Sequence, residues 1–160
     1  MNRKDLLAQF ERLVLLAARW AEALERRILR EGIALSAEEL ADAGALGVRQ
    51  PERVRLLCLA SVPTPDDLTL RSAAAAVQFL TPATRGLTLR YGIFIRADCW
   101  RERGLIAHEL AHTEQYERLG GIEPFLRQYL NQCLTIGYPA APLEQEAIAA
   151  VSGLKNRELA

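Results

Sequence analysis

His108 and His112 are the only histidines in the chain, and they stand four residues apart in the run GLIAHELAHTEQYERLGG, with Glu109 directly after the first. On a helix, positions i and i+4 share a face, so both imidazoles can turn towards one metal ion. Glu109 then lies about 100° round from His108, where it can reach a water beside the ion without ligating the ion. Zinc lowers the pKa of such a water towards about 7, and a neighbouring carboxylate can accept the proton as the water attacks a carbonyl. The pattern is therefore that of a metal-activated hydrolase. Two histidines scattered at random over this length fall four apart about once in eighty, and requiring the glutamate reduces this to roughly one in a thousand. The apolar flank of Leu105, Ile106, Ala107, Leu110 and Ala111 predicts a buried helix rather than two surface histidines beside an accidental acid.

Zinc takes a third protein ligand and keeps one position open in catalytic sites. No histidine remains to supply it, and Cys58, Cys99 and Cys133 form neither a CxxC pair nor a spacing close after the motif. A carboxylate is required, and Glu114, Glu117, Glu123, Glu144 and Glu146 follow the histidines. Glu114 and Glu117 point off the histidine face of the same helix, and Glu123 lies just past the turn. Glu144 and Glu146 begin a separate helix that an intervening hairpin can bring back, which suits a ligand given by a second element. For the developing oxyanion, Tyr138, in the turn before that helix, is the best-placed electrophile, ahead of Tyr116 and Tyr129.

The remaining elements must position this helix. Leu6, Phe10, Leu13, Ala17, Trp20, Leu24 and Ile28 recur at helical spacing and predict one long helix over residues 3–31, stopped at Gly32. It could pack in cis, pair with a second copy, or cover the active site. Ser36 with Glu39 reads as a capping box for a helix Ala37–Ala43. Residues 53–62 and 87–96 are rich in β-formers, and Gly92 within the second hints at a bulge or a close backbone approach. An alanine-rich helix is expected between Asp66 and Leu80. Asp98 is expected to cap a helix over 99–119 that carries the motif, Pro124 to open the next up to about Ile136, and Leu143–Val151 to form the last, with a frayed polar tail. Two strand-like runs among the helical ones predict an α+β fold, a small sheet with helices on one face.

Composition narrows the rest. The chain has 160 residues, half apolar and a quarter charged, with 20 basic against 20 acidic side chains; this suits one soluble domain. Zero net charge gives no electrostatic ground for a nucleic-acid or anionic-membrane partner. The uncharged stretches are too short to span a bilayer, the charged N-terminus lacks a signal-peptide core, and the unpaired cysteines suit a reducing, cytoplasmic setting.

HELAH, followed by Gln115, a helical hairpin and then PLEQEA, resembles the gluzincin metallopeptidases, in particular their minimal bacterial members, with an HExxHxxQ-like helix and a later ExxA(D) helix. The resemblance covers about residues 85–150 and leaves the N-terminal helix outside. It implies a zincin-like fold, zinc (Zn2+) as cofactor and a peptide or protein substrate. His108 and His112 match the histidine ligands, Glu109 the general base, and Glu144, three before Ala147, the third ligand; Glu146 would then stand behind or be exposed. Where the family often carries an aspartate that orients a ligating histidine, this chain has Ile148, a departure that bears on catalytic efficiency more than on metal binding. The strand Leu89–Arg96 before the motif helix would match the family's edge strand, on which a peptide adds as a further strand, with Arg90 and Arg96 as possible cleft residues. The competing readings are a zincin-like metal-binding module without turnover, and a helical interaction protein in which the motif is accidental.

Overall fold

The computed structural model describes residues 2–158, and its architecture is α+β: seven α-helices and a four-stranded mixed sheet. The helices are α1 (Arg3–Ala8), α2 (Phe10–Glu31), α3 (Ala37–Ala45), α4 (Leu68–Ala76), α5 (Arg103–Leu119), α6 (Ile122–Thr135) and α7 (Pro142–Glu158). The strands are β1 (Ile33–Ala34), β2 (Arg55–Leu59), β3 (Gly86–Leu89) and β4 (Gly92–Arg96), in the spatial order β1-β2-β4-β3. β2 and β4 run parallel; the chain leaves β2 through α4 to the edge strand β3 and turns back into β4, and β1 and β3 lie antiparallel on the two edges. None of these helices is long and apolar enough to cross a membrane.

Alternation along the strands divides the core in two. Leu56, Ile93 and Ile95 face Ile106 and Leu110 of α5 together with Ala43 of α3. Leu87, Leu89 and Phe94 point the other way, into a cluster with Ala21, Leu24 and Ile28 of α2 and Phe125, Leu126 and Tyr129 of α6. Helices therefore cover both faces of the sheet, not one as the sequence suggested; a strand such as β4, buried at Gly92, Ile93, Phe94 and Ile95, has to be covered on both sides. The N-terminal helix packs in cis. Gly92 is where it comes closest: a Cβ there would stand 3.1 Å from Ile28 Cβ and 3.2 Å from Glu25 Cα. Of the two readings of this glycine, close approach is the correct one.

Several expected boundaries move for local reasons. The first helix is two, because at Gln9 the backbone leaves helical geometry (φ −106°, ψ 9°) while its N–H still bonds back to Asp5 and Leu6. The strand of 53–62 is reduced to β2, since Pro51–Arg53 forms a 3-10 turn. The single strand of 87–96 is a hairpin: Arg90 takes a left-handed φ of 59° and the chain reverses. Asp98 does not cap α5; it sits in a 3-10 turn, Ala97–Cys99, with its carboxylate on Arg96, and α5 starts at Arg103. α7 runs on to Glu158 because the polar tail is docked, with Leu154 buried and Arg157 donating to the Ala45 carbonyl; Leu159 and Ala160 of that expected tail lie outside the described residues. The Ser36–Glu39 capping box is present as the residues predict.

The hairpin is tied to α2 by one buried carboxylate. Glu25, 2% exposed, accepts two hydrogen bonds from the Arg90 guanidinium and one from the Tyr91 N–H. Removing it leaves a partly buried cation and a buried N–H without partners. Glu25→Ala is expected to cost about 3 kcal/mol, the low end for a broken buried pair because Arg90 is partly exposed, and to lower Tm by roughly 10 °C. Arg27→Ala, which breaks an exposed pair with Glu31, is expected to stay within about 0.5 kcal/mol. Thermal unfolding of both variants checks the contrast.

Candidate metal centre

The motif lies in the middle of α5, which Gly120 terminates in the left-handed region (φ 100°). Its N-terminal end is held against α3 by Arg103 on Asp42, at 2.7 and 2.8 Å. Between these anchors, His108 and His112 face the same way, with their Nε2 atoms 3.2 Å apart. α7 packs on α5 and brings Glu144 to both: Oε1 is 3.0 Å from His108 Nε2, and Oε2 is 3.3 Å from His112 Nε2. His112 and Glu144 are buried, and His108 is one-fifth exposed.

The tautomer of His112 follows from its neighbour. Nδ1 lies 2.8 Å from the Gln115 side-chain oxygen, which only accepts, so the proton is on Nδ1 and the Nε2 lone pair points into the cluster. The Gln115 amide nitrogen donates to the Leu143 carbonyl at 2.8 Å and to Glu146 at 3.2 Å. The Leu143 N–H in turn donates to Gln132 of α6 at 2.9 Å. The residue before Glu144 is thus clamped from both sides, and α5 and α7 are locked in register at the site. Tyr129 of α6 donates to Glu144 Oε2 at 3.0 Å, and the rings of Tyr129 and Phe125 stand edge-on to His112.

Electrostatics follow the packing. Burial alone would raise the Glu144 carboxyl, but His108 and His112 outweigh it and hold the group well below the ordinary carboxylate range. Burial likewise opposes protonation of His112, yet Glu144 and Glu109 raise it above the ordinary imidazole value. An ion held tetrahedrally at the 2.0–2.1 Å usual for imidazole nitrogen needs ligand atoms about 3.3 Å apart; the two Nε2 atoms are 3.2 Å apart, each has a different Glu144 oxygen at 3.0 or 3.3 Å, and one ligand atom from each residue lies within 4.8 Å of the others. The residues present fit such an ion.

The other sequence-derived residues fall into place around this triangle. Glu109, 5% exposed, lines the same cleft of about 560 Å³ as His108, His112 and Glu144. Tyr138 lines that cleft too, at its exposed side, with its phenol pushed up to about 12 by burial and then by Glu144 and Glu109. Glu146 is not among the three: it bonds to Arg118 and Gln115. Glu114 pairs with Arg118, Glu117 accepts from Tyr91 and Arg49, and Glu123 pairs with Arg127. The edge strand beside the cleft is β3, not the run Leu89–Arg96, whose β4 is interior. Arg85 lines the cleft, whereas Arg90 is on Glu25 and Arg96 on Asp98. Tyr129 and Tyr116 act differently from the electrophile considered for them, since Tyr116 donates to the Thr88 carbonyl and Tyr129 to Glu144. The role of Gln115 was within reach of the sequence, as i+3 from His112 shares its face. The reach of Tyr129 to Glu144 was not, because it depends on how α6 crosses α7.

No family model, no curated protein and no solved structure matches this chain. The site therefore stands on its own geometry. Gln115→Ala removes the acceptor that fixes the His112 ring and is expected to weaken divalent-metal affinity about ten- to hundredfold. Glu146→Gln keeps an acceptor for Gln115 and is expected to leave that affinity nearly unchanged. Competition against a chromogenic chelator measures both.

Proposed function

We propose that this chain is a zinc-dependent hydrolase, a metallopeptidase of gluzincin type, acting on a peptide or protein substrate. The observation that carries the proposal is the convergence of His108, His112 and Glu144 on one point, with Glu109 in the same cleft. Two imidazoles and one carboxylate leave a fourth position open, as catalytic zinc sites do. A zinc ion there would supply Lewis acidity, acidifying water and polarising a carbonyl.

The chain's own residues do the rest. Glu109 follows His108 on α5 and is turned off the ligand face, so its carboxylate can take a proton from the attacking water and pass it to the leaving amine. Tyr138 offers a phenol O–H in the cleft, and its raised pKa keeps it protonated as a donor to the developing oxyanion. β3 pairs with β4 alone, and Arg85, Gly86, Leu87 and Thr88 line the cleft, so an extended peptide can add along this edge through main-chain hydrogen bonds.

One observation favours a second reading, a metal-binding module without turnover. Among the described residues His108 Nδ1 has no hydrogen-bond partner, and Ile148, 43% exposed, stands where an orienting carboxylate would be. Among the described residues the His108 ring meets polar partners on its Nε2 side alone, at Glu144 and His112.

Three glutamine variants, assayed for zinc and for hydrolysis of an unstructured protein, separate these readings. The wild type should hold about one zinc per chain. Glu109→Gln should keep the metal and lose turnover by about a hundredfold or more, Glu144→Gln should lose both, and Glu146→Gln should change little. Zinc without hydrolysis in the wild type would support the module, and no stoichiometric zinc would leave the motif an accident.

A further inference from the structure

The carboxylate of Glu109 is held by the sheet rather than by its own helix. Gly86 and Thr88 alternate along β3, so both face α5, opposite the core side occupied by Leu87 and Leu89. The Thr88 hydroxyl lies 2.6 Å from Glu109 Oε2 and 2.9 Å from the Glu109 carbonyl. It has one proton to give, and the carboxylate oxygen is both nearer and the stronger acceptor. Both side chains are 5% exposed, where a charge-assisted bond of this kind is little screened by water. The strand itself is pinned at this residue, since Tyr116 donates to the Thr88 carbonyl at 3.0 Å.

Gly86 closes the other side. A Cβ on Gly86 would stand 2.5 Å from Glu109 Oε1, 2.8 Å from Cδ and 3.0 Å from Cγ. The atoms that would have to yield are the carboxylate itself, so a side chain at position 86 displaces Glu109 rather than the backbone. Among the described residues, no fully buried side-chain oxygen lacks a hydrogen bond. Oε1 has none, and therefore opens to the cleft.

We propose that Gly86 and Thr88 are positioning residues for Glu109: the threonine holds Oε2, the missing Cβ makes room for Oε1, and together they present one free oxygen to the reacting water. The edge strand on which a substrate would lie thus also sets the aim of the base. The catalytic half of this inference rests on Glu109 acting as base; the coupling of Thr88 to Glu109 does not.

Two measurements on the full chain test it. The first is a double-mutant cycle of Thr88→Val and Glu109→Ala in thermal unfolding, which reads the contact without any substrate. Non-additive shifts in Tm are expected, and additive shifts would overturn the proposal. The second is kinetic. Thr88→Val should keep zinc and KM while kcat falls about ten- to hundredfold, and Gly86→Ala should do the same at about a hundredfold. Thr88→Ser, which restores the hydroxyl, should recover most of the rate. A kcat for Thr88→Val within twofold of wild type, a rise in KM in place of the loss of kcat, or no recovery with serine would overturn the positioning role. If the wild type hydrolyses nothing, the proposed function fails, and the unfolding cycle still decides whether Thr88 and Glu109 are coupled.

Discussion

A carboxylate taken out of water costs several kcal/mol unless its oxygens are met, and Glu144 is buried with both of them facing ring nitrogens. Much of the rest of the chain supports that encounter. Gln115 turns His112 and reaches across to Leu143, Gln132 takes the Leu143 N–H, and Tyr129 caps the second carboxylate oxygen. Three helices that are separate in sequence meet there because buried polar groups of each find partners on the others. Removing any one of them would leave a buried donor or acceptor exposed to apolar surroundings, which is the costly case for hydrogen bonds.

The sheet serves the site from the other side. β4 is buried on both faces and gives α5 a fixed wall in Ile93 and Ile95, while α2 closes the opposite face. The closeness of α2 depends on the bare backbone of Gly92 and on Glu25 gathering Arg90 and Tyr91. This in turn fixes the hairpin, and with it the edge strand β3, which runs beside Glu109. The N-terminal helix, which a resemblance over residues 85–150 leaves aside, is thereby part of the scaffold that positions the cleft.

How much of this the residues disclose depends on the range of the interaction. The motif helix, the capping box at Ser36 and the turn before α6 rest on contacts within four residues, and spacing alone reveals them. The hairpin at Arg90 did not show, because a left-handed arginine carries no glycine or asparagine signal. β1, two residues long, has no periodicity to read. Asp98 is a good capping residue on local grounds and so predicts too early a start for α5, yet Arg96 two positions back offers its carboxylate a charged partner. Glu144 was legible as one of two acids on a returning helix, while its neighbours Gln115 and Tyr129 took up their roles only once the helices were packed. Thr88 reads in sequence as an ordinary β-former; only its register opposite Ile93 turns it to α5.

The proposed centre, two imidazole nitrogens and one carboxylate oxygen on a single ion, is tested most directly by X-ray absorption at the zinc edge of the purified protein. A zinc ion held this way would show a four-coordinate shell of nitrogen and oxygen at about 2.0–2.1 Å, with the outer scattering of two imidazole rings. Cys133, whose thiol is pushed up to about 12 by burial and then by Glu144, supplies the contrast. A sulfur scatterer at about 2.3 Å, or a shell with no imidazole signature, would rule this ligand set out.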